Sequence, residues 1–371
     1  MTNHVRDVTL VIPARDAVRT IGDCLDAAIA VRDRAGSRLA RIILVDDGSK
    51  DATVAEAEKR GIDVLRSGGR GAGAARNQGF VAATTELVWF VDSDCVSAPD
   101  ALELLLPHLD DLAVGGVGGT YGIAPGATLL ERLIHEEIMV RHARMSADTN
   151  FLATYNVLYR RAVLEALDGF DERYLKGQDA EFAFRVLEAG HRLRFERASI
   201  VRHFHADRLS RYLRVQRGQG YWRVALHLEH RGHAGGDSYS SLLDHVQPFA
   251  AAALAPAALL AIAAIVQGDD ALLGTAAQVR ILTAAPLVAL VVLLLVAQIP
   301  MALAMTRREG AAMLAFIPLG AVRAVWRAAG LVAGVVDRTL GRGAIAREGV
   351  ARRARRDGVD CATTRSQGDP Q

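Results

Sequence analysis

Between Val246 and Gln267, and again between Ile281 and Met305, the chain carries no Asp, Glu, Lys or Arg. Each stretch is long enough, at about 1.5 Å per residue, to cross the ~30 Å hydrocarbon core of a bilayer as a helix. A helix is the form in which a single apolar segment satisfies all its backbone polar groups in lipid, so the sequence predicts a membrane hairpin here. The connecting loop holds Asp269, Asp270 and Arg280, while Arg307 and Arg308 follow the second span. An excess of cationic residues marks the cytoplasmic side, which places both hairpin ends there. A third apolar stretch, Ala311 to Val336, has Arg323 and Arg327 in its middle. Charge at bilayer depth is costly, and this stretch is expected to be re-entrant or interfacial. The chain then ends in a basic, polar tail with Arg352, Arg353, Arg355, Arg356 and Cys361, expected to be partly disordered.

The excess apolar residues behind the 51% hydrophobic content lie mostly after residue 245, so the N-terminal part has to be read by itself. A net charge of +2 and 5% aromatic residues give neither a basic footprint nor stacking platforms, which argues against nucleic-acid binding. Three cysteines far apart, Cys24, Cys95 and Cys361, do not make a disulfide framework and point to a reducing compartment. No long apolar run follows the N-terminus, because Val8 to Ile12 is strand-sized and Pro13 ends it. This part is therefore expected to face the cytoplasm.

Short apolar runs alternate with amphipathic segments across the first 205 residues. Val8 to Ile12, Ile42 to Val45, Ile62 to Leu65 and Leu87 to Val91 read as strands, and Thr20 reads as the cap of the first helix. Helices are expected from about Ala52, from about Ala74 and after Pro99. The alternation implies a doubly wound, mainly parallel sheet. Glycine-laden Val114 to Tyr121 reads as an edge or bent strand. An apolar stripe, Leu129, Leu130, Leu133, Ile134 and Met139, marks a helix that packs on the core or meets a membrane surface. Phe151 to Tyr159 and Leu193 to Val201 read as further strands, the last delivering His203 and His205. Arginines 208, 211, 214, 217 and 223 then recur along a helical segment, with Tyr212, Tyr221 and Trp222 between them. That pattern suits a membrane interface.

The strand Leu87 to Val91 ends in Asp92-Ser93-Asp94. Carboxylates at the C-terminal end of a strand point into the crevice where open α/β sheets bind ligands, and hard oxygen donors can hold Mg²⁺ or Mn²⁺ against a diphosphate. A solvated turn would give the same local pattern. Gly71-Ala72-Gly73-Ala74-Ala75-Arg76 is not a dinucleotide fingerprint, because Arg76 stands where the third glycine belongs and the loop follows the third strand.

Val11-Ile12-Pro13-Ala14-Arg15, Val45-Asp46-Asp47-Gly48-Ser49, Gly73 to Gly79 with Arg76 and Asn77, Asp92-Ser93-Asp94, Gly169-Phe170-Asp171-Glu172, and Gln178-Asp179 with Arg185 occur in one order. Together they resemble the family 2 glycosyltransferases, inverting enzymes of GT-A fold that use nucleotide sugars. The resemblance implies base and ribose contacts from Pro13, Ala14, Arg15, Asp46 and Asp47, a place near the nucleotide for Arg76, and substrate contacts from Asp92, Ser93 and Gln178. It also implies a divalent ion, Mn²⁺ or Mg²⁺, held by Asp94 with Asp92 in support and His203 completing the set, with His205 a rival. Asp179 takes the place of the catalytic base. The family usually has Glu-Asp there, and Gln178 departs from it. Gln219-Gly220-Tyr221-Trp222 lacks the arginine of the processive members' motif, which favours transfer of a single sugar.

The expected organisation is a GT-A domain over 1–206, an Arg-rich interfacial linker over 207–245, a membrane region over 246–336 and a tail over 337–371. The expected activity is transfer from a UDP- or GDP-linked sugar to a lipid-linked or cell-envelope glycan acceptor, at the cytoplasmic face of the inner membrane and among membrane lipids. A degenerate scaffold that binds a nucleotide sugar without turnover is the alternative, motivated by Gln178. A sugar nucleotidyltransferase would need its glycine-rich phosphate loop after the first strand, and Pro13 to Asp16 is not one.

Overall fold

The computed structural model describes residues 7–35, 38–230, 238–240, 242–266 and 273–342. Cys361, the Arg352–Arg356 cluster, and Asp269 and Asp270 of the hairpin loop lie outside the described residues. Nine strands form one sheet: β1 Val8–Ala14, β2 Leu39–Asp46, β3 Asp63–Arg66, β4 Leu87–Val91, β5 Cys95–Ser97, β6 Val114–Ile123, β7 Asp148–Thr149, β8 Asn156–Arg160 and β9 Arg192–His203. Their order is β3-β2-β1-β4-β8-β6-β9-β5, with β7 on β9. The helices are α1 Ile21–Ala35, α2 Thr53–Glu58, α3 Ala72–Ala82, α4 Ala101–Leu105, α5 Leu129–His142, α6 Arg161–Ala166, α7 Gln178–Glu188, α8 Leu209–Glu229, α9 Leu242–Ala252, α10 Leu254–Val266, α11 Leu273–Val296, α12 Ile299–Glu309 and α13 Phe316–Thr339.

The α/β class holds, but the sheet is mixed, not mainly parallel. β3-β2-β1-β4 is parallel, whereas β8 runs antiparallel to both β4 and β6. The strand order reverses direction between β1 and β4, and β1 pairs with β4 only as far as Val11 opposite Phe90, then continues along β2 to Ala14. Pro13 therefore does not end the strand, because no β4 partner remains at its level to require its missing N–H. This splayed switch point opens the crevice at the strands' C-terminal ends.

β6 is bent, with register shifts on either side of Gly116 to Gly118, but it is an inner strand between β8 and β9. Its glycines are needed for close packing: a Cβ at Gly119 would lie 2.1 Å from Asn156 Nδ2. β8 begins only at Asn156, whose side-chain oxygen accepts from Trp89 Nε1 at 2.9 Å. Thr20 immediately precedes α1 and its carbonyl accepts from Cys24 N at 3.1 Å, while its hydroxyl donates to the Ser93 carbonyl at 2.9 Å and ties the start of the helix to the acidic loop.

Among the described residues, three helical stretches are long and apolar enough to cross a membrane: Leu243–Ala264, Ile281–Glu309 and Ala311–Thr339. Thr128 and Glu131 form a capping box that starts α5, and the α5 stripe packs inward: Leu133 and Val140 meet Met305 and Phe316, while Ile134 meets Tyr212 and Leu213. Along α8 the arginines 208, 211, 214 and 217 stay exposed, but Tyr212 and Trp222 turn into the protein. α13 lies against α8 through glycines; a Cβ at Gly220 would sit 2.0 Å from the Arg327 carbonyl, and one at Gly330 would sit 1.9 Å from that of Arg217.

The charges of the third apolar stretch meet protein. Arg323, 2% exposed, pairs with Glu137 of α5. Glu137 in turn binds Arg141 at 2.6 Å, and Arg141 grips both oxygens of Asp244 at 2.7 Å. Burial opposes ionisation of Glu137, yet Arg323 and Arg141 hold its carboxyl at about 2. Arg327 reaches Gln216 at 2.7 Å and Gln219 at 3.0 Å. Removing Arg323 leaves Glu137 and Asp244 to share the single charge of Arg141 in a buried site, so Arg323→Met is expected to destabilise the folded chain by about 3 kcal/mol, the lower end of the range for breaking a buried pair. Melting in detergent checks this, and adding Glu137→Leu should recover part of the loss.

Candidate active site

The crevice is lined by the ends of β1, β2 and β4 and by the start of α7. Asp94 and His203 face each other where β4 ends and β9 finishes, with His203 Nε2 3.4 Å from Asp94 Oδ1. Pairing of Cys95 with His203 across β5 and β9, and the bond from Phe204 N to the Asp94 carbonyl at 3.0 Å, fix that approach. Burial disfavours charge on both groups, but each favours its partner's charge: His203 holds the Asp94 carboxyl below its usual range, and Asp94 raises His203. A carboxylate and an imidazole so placed could hold a divalent cation. Cys95 completes a group whose donor atoms all lie within 4.8 Å of one another. Burial, then Asp94 and Asp92, push its thiol up.

Asp92 turns the other way and accepts from Arg76 Nη2 at 2.6 Å. Arg76 is 3% exposed, and its Nε and Nη1 are buried without a hydrogen-bond partner. A buried guanidinium with open donors is the complement of a planar or tetrahedral oxyanion. Asp179 sits in the first turn of α7, where its Oδ1 accepts from Ala180 N at 2.9 Å. Burial raises its pKa, while the Ala180 amide and Arg76 work against the rise. Gln178 is buried beside it.

Asp46 and Asp47 are buried at the end of β2. Asp46 accepts from Ser49 N at 3.0 Å, whereas Asp47 accepts from Ser67 Oγ at 2.6 Å and Gly71 N at 3.0 Å, holding the glycine-rich loop against the sheet. Arg15, more than half exposed, lies 3.7 Å from Asp47. Pro13 and Ala14 form the last turn of backbone in β1, and the Ser93 carbonyl is occupied by Thr20.

Other residues of the motifs are scaffold. Asn77 Oδ1 accepts from Phe170 N and its Nδ2 donates to Phe170 O, both at 2.8 Å. Gly169, at φ +63°, must be glycine because a Cβ there would stand 2.4 Å from Asn77 Oδ1. Arg185 donates to the Gly169 carbonyl at 2.7 Å. Sequence reasoning missed Cys95 as a neighbour of the Asp94–His203 pair, and missed His135 and Tyr121, which flank His205. Adjacency to Asp94 was a signal for Cys95; nothing local marked the other two.

Residues 9–168 match the family model described as Glycosyl transferase family 2. The chain is 32% identical over 218 residues to the pre-mycofactocin glycosyltransferase of Mycobacterium tuberculosis, with 55% of this chain and 44% of that protein covered. It is 27% identical over 231 residues to glycosyltransferase AglE of Haloferax volcanii, covering 59% and 75%. A mannosyltransferase from Pyrobaculum calidifontis, solved in complex with GDP-Man and Mn²⁺, overlaps 90% of this chain and 87% of its own at 18% identity and a TM-score of 0.49. The chain spans about half the length of the first curated relatives it matches. The match over residues 9–168 takes in β1 to β4, β6 and β8 and the acidic loop after β4, so this part of the chain is similar to the glycosyl transferase family 2 domains.

Proposed function

We propose that the protein is a membrane-attached inverting glycosyltransferase that moves one sugar from a UDP- or GDP-linked donor to a lipid-linked acceptor. One observation carries the reading: Asp94 and His203 stand 3.4 Å apart at the end of the same strand whose Asp92 holds Arg76, a buried guanidinium with two unpaired nitrogens. In this reading Asp94 and His203 hold Mn²⁺ or Mg²⁺, which when bound offsets charge on the departing diphosphate. Arg76 donates to the same diphosphate, with Asp92 fixing its plane. Asp179 takes the proton of the acceptor hydroxyl as the sugar carbon is attacked from the opposite face.

The membrane side of the reading rests on two features. Leu243–Ala264 and Ile281–Glu309 are proposed as the two spans, and α13 as an interfacial helix held by the arginine-bearing α8. Arginines 208, 211, 214 and 217 then face the headgroups of the inner leaflet, with the catalytic domain in the cytoplasm. The test is nucleoside diphosphate release by the full chain in detergent, with Mn²⁺ and a panel of UDP- and GDP-sugars. Release that rises severalfold on adding a polyprenyl phosphate or glycolipid is expected. Absence of release with every donor would remove the enzymatic reading in favour of a binding scaffold.

A further inference from the structure

Behind His203 lies a line of buried side chains that ends on a membrane helix. His203 Nδ1 is 2.8 Å from His205 Nδ1, and His205 Nε2 is 3.4 Å from His135 Nδ1 on α5. His135 Nε2 lies 4.0 Å from Glu136 Oε1, an electrostatic contact, and Glu136 Oε2 accepts from Arg308 Nε at 2.7 Å. His205, His135 and Glu136 are each 5–6% exposed. Arg308 belongs to α12, in the last turn of the second apolar stretch.

The contacts have one consistent direction. A neutral imidazole carries a single N–H, so a ring whose Nε2 serves a cation keeps its hydrogen on Nδ1. His203 then donates to His205, whose own hydrogen must be on Nε2 and is donated to His135. That leaves the His135 hydrogen on Nε2, facing Glu136. Both inner rings are buried, which disfavours a charged imidazole at either position. Tyr121 walls the line, with its ring 4.7 Å from His203 and 5.6 Å from His205. Groups that hold the far nitrogen of a ligating histidine fix its tautomer and ring plane, and their loss typically weakens metal binding 10- to 100-fold.

We propose that His205, His135 and Glu136 are positioning residues that orient His203 toward its cation, and that Arg308 anchors the relay to the membrane helix. Metal affinity thereby depends on how α12 is seated against α5. This rests on Asp94 and His203 being the metal pair, so the experiment separates the two claims. Arg308 is suited to the test because 46% of its side chain is exposed and its replacement leaves the core packed. A second pair between the same helices, Arg132 with Glu309 at 3.0 Å, makes no hydrogen bond to the relay and serves as control.

Mn²⁺ alone is titrated calorimetrically into the full chain in detergent. His135→Phe, which keeps a ring but no hydrogen bond, is expected to weaken binding about tenfold. Arg308→Gln should weaken it by a smaller factor, and Arg132→Gln should leave it unchanged. His135→Gln, which keeps a donor and an acceptor, should lie close to the native protein; should His135→Phe fail to fold, Arg308→Gln must still weaken binding. Asp94→Asn should abolish binding. Mn²⁺ binding that survives Asp94→Asn overturns the metal pair itself. Binding lost in Asp94→Asn but native in Arg308→Gln, or equally weakened by Arg132→Gln, overturns the relay alone.

Discussion

Asp179→Asn is expected to lower kcat by at least ~10²-fold, the usual scale for losing a general base, with donor affinity little changed. The side chain lies in the first turn of α7, in the same crevice as Arg76 and Asp92, and its raised pKa reports an environment that resists charge. A carboxylate resisting charge is a stronger base than a solvated one. The sign of the pH effect follows. In the proposed mechanism turnover requires the ionised form, so the acid limb of kcat/KM should lie above the ordinary carboxylate value of about 3.9. Arg76 favours that ionised form, so Arg76→Met should move the limb to still higher pH while raising KM for the donor. Gln178→Glu adds a like charge beside the base and should shift the limb upward with a far smaller effect on the plateau. Near-normal turnover in Asp179→Asn would remove the base assignment.

The second large effect is expected at Asp94. Asp94→Asn, or EDTA added to the native chain, should abolish sugar transfer, because the negative charge that pairs with His203 across 3.4 Å is the principal hard donor of the proposed cation site. The fold should survive, since Asp94 lies on the crevice wall outside the apolar cluster formed by β1, β4 and α1. Circular dichroism of the variant and restoration of activity by Mn²⁺ after EDTA check the two halves of this statement. Undiminished transfer in EDTA would show that the diphosphate leaves without a cation, and Arg76 would then be the group that offsets its charge.

Much of the architecture is local and so legible in the sequence. Val8 to Ile12 and Leu87 to Val91 announce buried strands because every side chain in them is apolar or β-branched, and both are fully buried. The apolar spans are equally plain, since absence of charge over such a length has few other physical meanings. The Asp92-Ser93-Asp94 turn announced a crevice but not its division of labour: Asp94 faces His203, while Asp92 is drawn to Arg76. Pattern alone could not separate them, because both are aspartates at one strand end.

Partners far apart in the chain were decided by packing. Arg323 looked like an expensive charge in an apolar stretch until the fold placed Glu137, 186 residues earlier, against it. Arg141 finds Asp244 across 103 residues, and His205 finds His135 across 70. The family signature grouped Arg76, Asn77 and Gly169, and only the structure assigned the first an open guanidinium and the other two a scaffold role. Hydrophobic periodicity and the absence of charge are properties of a segment and survive reading in one dimension. Compensation of a buried charge, or orientation of a ring by the ring behind it, is a property of a pair, and it exists only once folding has paid the entropy of bringing the two together.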